Sequence, residues 1–221
     1  MTLSQSLARL ESLADPKMLN VKIRGGAQAQ FGVPLGAIRK LAKEIKREPE
    51  LAEQLWATGN LDARLLAILI VRPKDRSLEA LEAMLQSCDC EQVASWLNNY
   101  LVGKHPQREQ RRQTWMDSAH PWVARAGWHL SAQRAQKAPE GLETDALLDR
   151  IEAEMGSAPA PVQWTMNNTL AQIGINLPEH RARALAIGEA LGVYRDYPVS
   201  KGCTSPYAPA WIGEMVRRAE G

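Results

Sequence analysis

Apolar residues recur along this chain three and four positions apart, the spacing that lines one side of a helix, and no stretch sustains the period of two that a half-buried strand needs. The pattern predicts an all-α protein. Short helices come first, over residues 3–13 and again from Pro16, where Asp15 supplies an N-cap and Gly25-Gly26 a stop. Pro34 opens a helix to about residue 47 with Leu35, Ile38, Leu41, Ala42 and Ile45 on one side. Pro49 begins another, carrying Leu51, Leu55 and Trp56, and Gly59-Asn60 breaks it; residues 61–71 follow with almost no polar interruption, so that helix must be buried. Arg72-Pro73 ends it. Residues 77–85 read as an amphipathic helix. Asp89 caps the next, to about residue 102, with Val93, Leu97 and Leu101 toward the core and Ser95, Trp96 and Asn99 turned away. A basic helix over 106–118 leads through His120-Pro121 into one reaching about residue 136. After a loop at 137–141, Leu147, Leu148, Ile151 and Met155 mark a helix closed by Gly156. Val162, Met166, Leu170 and Ile173 then form the core side of another, with Trp164 and Asn168 one turn apart on its opposite face. Helices from Pro178 and from Pro206, the latter with Ser205 as N-cap, complete the chain.

Four of these helices begin alike. Val123-Ala124-Arg125 matches Asp62-Ala63-Arg64, Val93-Ala94-Ser95 and Val162-Gln163-Trp164, and successive copies lie 31, 30 and 39 residues apart with a further helix between them. Self-similarity at that period means stacked helix pairs, a solenoid. Such an array forms one elongated unit, so a single domain over 1–221 is expected, with 196–221 capping its end as a terminal repeat must. On the 121–136 helix, Val123, Ala126, Gly127 and Leu130 fall on one side and Trp122, Arg125, Trp128 and His129 on the other. One side should be core and the other available for binding.

Composition narrows the picture little. With 45% hydrophobic and 24% charged residues the chain has ample core material, which excludes disorder. A net charge of +2 says little about a polyanionic partner, but bases gather at 39–47, 104–112 and 125–137 and acids at 48–53, 79–91 and 140–154. Such segregation yields either one basic stripe or merely solvated helix faces. The three cysteines are an odd count, Cys88-Asp89-Cys90 lacks the two-residue spacer of a redox or zinc pair, and no His-rich segment accompanies it. The cysteines therefore read as structural, Cys203 as a buried residue of the terminal loop, and neither metal nor cofactor is expected. No signal peptide and no apolar run of about 18 residues is present, so the expectation is a cytoplasmic protein with reduced thiols and no membrane partner.

Phe31-Gly32-Val33-Pro34 with Ile38-Arg39-Lys40-Leu41-Ala42-Lys43, the helix of Arg64, and Val123-Ala124-Arg125-Ala126 after Lys104-His105-Pro106 together resemble the DNA alkylation repair family, the AlkD-like group of HEAT-repeat proteins. The likeness spans most of the chain. The tail from Gly188 to Ile212, with Lys201-Gly202-Cys203-Thr204-Ser205-Pro206, resembles the end of a divergent branch of that family. The resemblance implies a HEAT-like α-α superhelix whose concave basic groove holds duplex DNA and, in active members, hydrolyses the glycosidic bond of N3- or N7-alkylated purines. An alkylated purine is already cationic and departs without strong acid assistance. The oxocarbenium-like sugar left behind is stabilised by a carboxylate that also guides water, while aromatic faces hold the cationic base.

The family site pairs a tryptophan with an aspartate one turn later and adds a second tryptophan from a later repeat. Here Trp96 is followed one turn on by Tyr100, and the nearest carboxylates are Asp89 and Glu91 at the start of that helix. Counting back from Lys104-His105-Pro106 puts Glu91 near the catalytic acid; matching the repeats puts Ala94 or Ser95 there. The later tryptophan falls on Asn168, with Trp164 one turn before it, and Arg125 matches a phosphate-contacting arginine. The candidate catalytic residues are thus Glu91 and Asp89, and the candidate DNA contacts Arg125, Arg64, Trp164, Asn168, His129 and Trp96. Each has a structural alternative: Arg125 and Arg64 as bridges between repeats, Trp164 as inter-repeat packing with Asn168 as a hydrogen-bonded amide, and Glu91 as a first-turn acid favoured by the helix dipole. Two functions are in view. One is a monomeric DNA-binding protein of the alkylation-repair type, acting on duplex DNA as an alkylpurine glycosylase. The other, suggested by the missing Trp-to-Asp pairing, is a non-catalytic HEAT scaffold for a DNA structure or a protein.

Overall fold

The computed structural model describes residues 1–22 and 29–220. Among them every regular element is helical: α1 (Leu3–Ser12), α2 (Pro16–Lys22), α3 (Leu35–Ile45), α4 (Pro49–Ala57), α5 (Leu61–Leu69), α6 (Leu78–Gln86), α7 (Glu91–Tyr100), α8 (Glu109–Met116), α9 (Pro121–Lys137), α10 (Thr144–Glu154), α11 (Ala160–Asn176), α12 (Pro178–Leu191) and α13 (Ala208–Glu220), with short 3₁₀ turns at Pro73–Asp75 and Val102–Lys104. The four matching tripeptides each stand in the first turn of an odd-numbered helix, α5, α7, α9 and α11. None of the described helices is long and apolar enough to cross a membrane. The expected stop of α2 at Gly25-Gly26 lies outside the described residues. By contact density the chain forms two compact units, Met1–Arg108 and Glu109–Gly221.

In the first unit, local chemistry sets the helix starts. Thr2 closes a capping box on α1 and Asp15 accepts from the Lys17 amide at α2. Asn60 caps α5 by accepting from the Asp62 and Ala63 amides, and Ser77 caps α6 by accepting from Ala80. α5 packs against α3, α4 and α7, so it is buried nearly all round, as its uninterrupted apolar run requires. Two expectations are corrected on α7. Cys90, not Asp89, is its N-cap residue, because Asp89 forms an ion pair with Arg64 at 3.0 Å instead. Trp96, expected to face away from the core, is only 5% exposed, since the Arg39 guanidinium lies over its ring at 4.8 Å.

In the second unit, α9 and α11 pack along each other in the same direction. Arg125 near the start of α9 reaches the carbonyl of Pro161 at the start of α11, and the Thr169 hydroxyl in mid-α11 donates to the Trp128 carbonyl in mid-α9. α8 presses on α9 at Gly127, where a Cβ would stand 2.3 Å from the Met116 nitrogen. With α8 and α11 both packed on it, α9 has no open side of the kind a two-faced helical wheel implies. Arg125 and Trp128, expected to face outward, are 3% and 1% exposed. α8 is shorter than the 106–118 expected: Pro106 and its neighbours form turns before Glu109. α13 likewise begins at Ala208 rather than Pro206, because the Ser205 hydroxyl accepts from Tyr207 in a turn that precedes the helix. α13 packs on α11 and α12, burying Ile212 against Gly174, while the Asn167 amide donates to the Pro206 carbonyl. Cys88 and Cys90 are buried as expected, but Cys203 is exposed, in a turn whose preceding residues Lys201 and Gly202 are exposed too.

Candidate nucleic-acid interface

α3 and the two residues that follow it place Arg39, Lys43, Lys46 and Arg47 beside the end of α5, where Leu69, Ile70, Val71 and Arg72 leave the helix, and beside Tyr100 at the end of α7. Between them lies a groove of about 530 Å³. Helical spacing accounts for the arrangement on α3: Arg39 and Lys43 are one turn apart on the side next to Ala42, while Ile38 and Leu41 face the core. All five cations are exposed. Of the five, Arg47 is paired with Asp75 through two 2.9 Å hydrogen bonds, and the same carboxylate also interacts electrostatically with Arg72. The same bonds hold the Asp75 carboxyl down to about 2. The carbonyl ends of α3 and α5 attract a nearby cation by roughly 0.3–1 kcal/mol each. Lys43 lies in the last turn of α3, Lys46 is its C-cap residue and Arg72 follows the end of α5, so three of the five cations sit where helix carbonyl ends favour them.

Its wall is aromatic. Tyr100 lies 5.2 Å from Trp96 between ring centroids, its hydroxyl is 3.5 Å from Arg39 Nε, and Lys104 Nζ sits over its ring at 5.4 Å. The sequence showed the Arg39–Arg47 run and the one-turn spacing of Trp96 and Tyr100, but not that α5 would set an apolar floor between them.

The expected site residues fall in both units. In the first, Arg64 and Asp89 are brought together as an ion pair, and Arg64 also lies 5.0 Å over Trp56 and 3.4 Å from its carbonyl; Glu91 is exposed in the first turn of α7. In the second, Arg125 occupies the repeat position equivalent to Arg64 and bonds a backbone carbonyl in the same manner, at 3.0 Å from Pro161. Trp164, at that position again, packs against Tyr194 at 5.3 Å and Tyr197 at 5.8 Å, and Tyr197 is 45% exposed. Both tyrosines come from the connection after α12 and had no pattern to announce them. Asn168 accepts from Gln172 at 3.4 Å, and Asn176 donates to Gln172 in turn, a row of amides along α11.

His129 is mostly buried, with its Nε2 3.1 Å from the Gln133 amide nitrogen. Burial first, and then the charges of Arg125 and Lys137, push its pKa down to about 4, so at neutral pH it offers a neutral ring rather than a cation. The unfolded chain takes up this proton near pH 6.5 and the folded chain only near pH 4. Stability is therefore unaffected above pH 6.5 and falls as the pH drops through that window, by about 2 kcal/mol between pH 7 and pH 5. Urea unfolding of wild type and His129→Gln at the two pH values should show the loss shrinking in the variant; equal losses would remove His129 as its source.

With the geometry in place, three comparisons bear on identity. Among solved structures, the chain is similar, at TM-score 0.82 and 24% identity over 99% of this chain and 95% of the other, to one reported under the description "A new family of proteins related to the HEAT-like repeat DNA glycosylases with affinity for branched DNA structures". That likeness shows the fold: the paired helices are HEAT-like repeats. No curated protein matches. The profile of the family described as DNA alkylation repair enzyme matches residues 6–212, almost the entire chain, and the protein belongs to that family.

Proposed function

We propose that this protein binds DNA through the sugar–phosphate backbone, with the α3 groove as its principal contact. The observation that carries the reading is the run of exposed cations Arg39, Lys43, Lys46 and Arg72 around one concavity on a chain of net charge only +2. Family membership and the branched-DNA affinity stated for the structural neighbour support it. Binding of a fluorescent duplex should fall linearly in log–log form with salt, by a slope of about −0.9 per phosphate neutralised, and Lys46→Ala should reduce that slope by about 1. Affinity indifferent to salt, or no binding, would count against it.

The second reading, hydrolysis of the N-glycosidic bond of cationic alkylpurines, is favoured by the family and by the exposed Glu91 carboxylate at the start of α7. Of the two candidate acids, Asp89 is ion-paired with Arg64 at 3.0 Å, and Glu91 is the one tested by substitution. Release of 7-methylguanine or 3-methyladenine from methylated DNA by wild type, lost in Glu91→Gln, is the expected signature. Release equal to background would remove the enzymatic reading and leave the DNA-binding one.

A further inference from the structure

The lining of the α3 groove fits more than a phosphate backbone. A surface that only tracks stacked duplex DNA needs cations and hydrogen-bond donors, since the faces of paired bases are hidden from it. This concavity has instead an apolar floor, with Leu69 and Val71 half-buried, and a wall in which Tyr100 stands against Trp96. Its volume of about 530 Å³ falls within the range of roughly 300–1,000 Å³ that holds small organic ligands. Laying an apolar face on that floor removes the remaining apolar area from water, which is favourable. The rim supplies the opposite chemistry, with Lys43, Lys46 and Arg39 exposed and Arg39 held in place by the Trp96 face and the Tyr100 hydroxyl. Alternating anionic and flat aromatic groups on one ligand are what single-stranded nucleic acid presents, and cationic grooves with aromatic platforms bind it.

We infer that the groove formed by the ends of α3, α5 and α7 is a site for unpaired nucleotides, with phosphates on Lys43 and Lys46 and a base laid on Leu69 and Val71 against Tyr100. The substrate class is then DNA with unpaired bases at a fork or branch. This rests on the DNA-binding reading above and goes beyond it, because backbone contacts alone would not distinguish a fork from a duplex.

The full chain is titrated, by fluorescence anisotropy, with a forked duplex bearing short unpaired arms and with a fully paired duplex of the same length; a second fork carries 2-aminopurine in one arm as a reporter of stacking. The fork should bind about tenfold more tightly than the duplex, with the 2-aminopurine emission shifted by the contact. Tyr100→Ala should bring the fork to the duplex affinity, Tyr100→Phe should keep the preference, and Lys46→Ala should weaken both probes alike. Leu69→Gln tests the floor without touching the ring, and should lower the fork preference even if Tyr100→Ala folds poorly. Equal binding of fork and duplex, with the duplex still salt-dependent, overturns this inference and leaves the DNA-binding reading standing. Equal competition by a poly-glutamate peptide of matched charge likewise overturns it, and absence of binding to either DNA overturns both.

Discussion

Gly127→Ala is expected to destabilise the protein by about 3 kcal/mol or more, read as a fall in the urea midpoint at unchanged m-value. The sign is the point of the experiment. In an open helix, alanine in place of glycine stabilises by about 1 kcal/mol. At Gly127 the new Cβ would stand 2.3 Å from the Met116 nitrogen, 2.7 Å from the Trp115 carbonyl carbon and 2.8 Å from Met116 Cα. These are backbone atoms, so no rotamer change relieves the clash, and α8 must shift off α9, opening contacts that bury Trp115 and Trp128. Gly36 is the control: it is exposed on α3 and a Cβ there meets nothing within 4 Å, so Gly36→Ala should stabilise. A neutral or stabilising Gly127→Ala would show that the close approach of α8 and α9 does not constrain the second unit.

Asp62→Ala should cost about 3 kcal/mol and loosen the segment that leads into α3. Asp62 is fully buried in the first turn of α5, and its Oδ2 accepts from the amides of Phe31 at 2.7 Å and Gly32 at 2.9 Å. Removing the carboxylate leaves those donors with the desolvation penalty of a lost partner, about 1–3 kcal/mol each. Asp62→Asn keeps an oxygen able to stand in the same place and should cost much less. Hydrogen exchange at the Phe31 and Gly32 amides is the direct check: faster exchange in Asp62→Ala than in Asp62→Asn is expected, and equal protection in both would mean the loop is held by other contacts. Because Pro34 and α3 follow at once, Asp62→Ala should also weaken DNA binding although Asp62 faces no ligand.

The sequence by itself determined most of the helix starts, though not those of α7, α8 and α13, how the helices pair and which family the chain resembles. Apolar spacing, N-caps such as Asn60 and Ser77, and prolines such as Pro49 and Pro178 act within a few residues and need no distant partner. The cationic run of α3 was legible for the same reason. Tertiary packing alone decided which polar and aromatic positions stay open. A helical wheel assigns one core side, yet α9 has α8 and α11 packed on it, so Arg125 and Trp128 are buried; Trp96 is covered by a side chain from another helix. The same holds for the pieces of the groove and for the hold of Asp62 on Gly32, which join residues some thirty or more positions apart. Local periodicity carries no information about such encounters, because they depend on how whole helices are laid against one another.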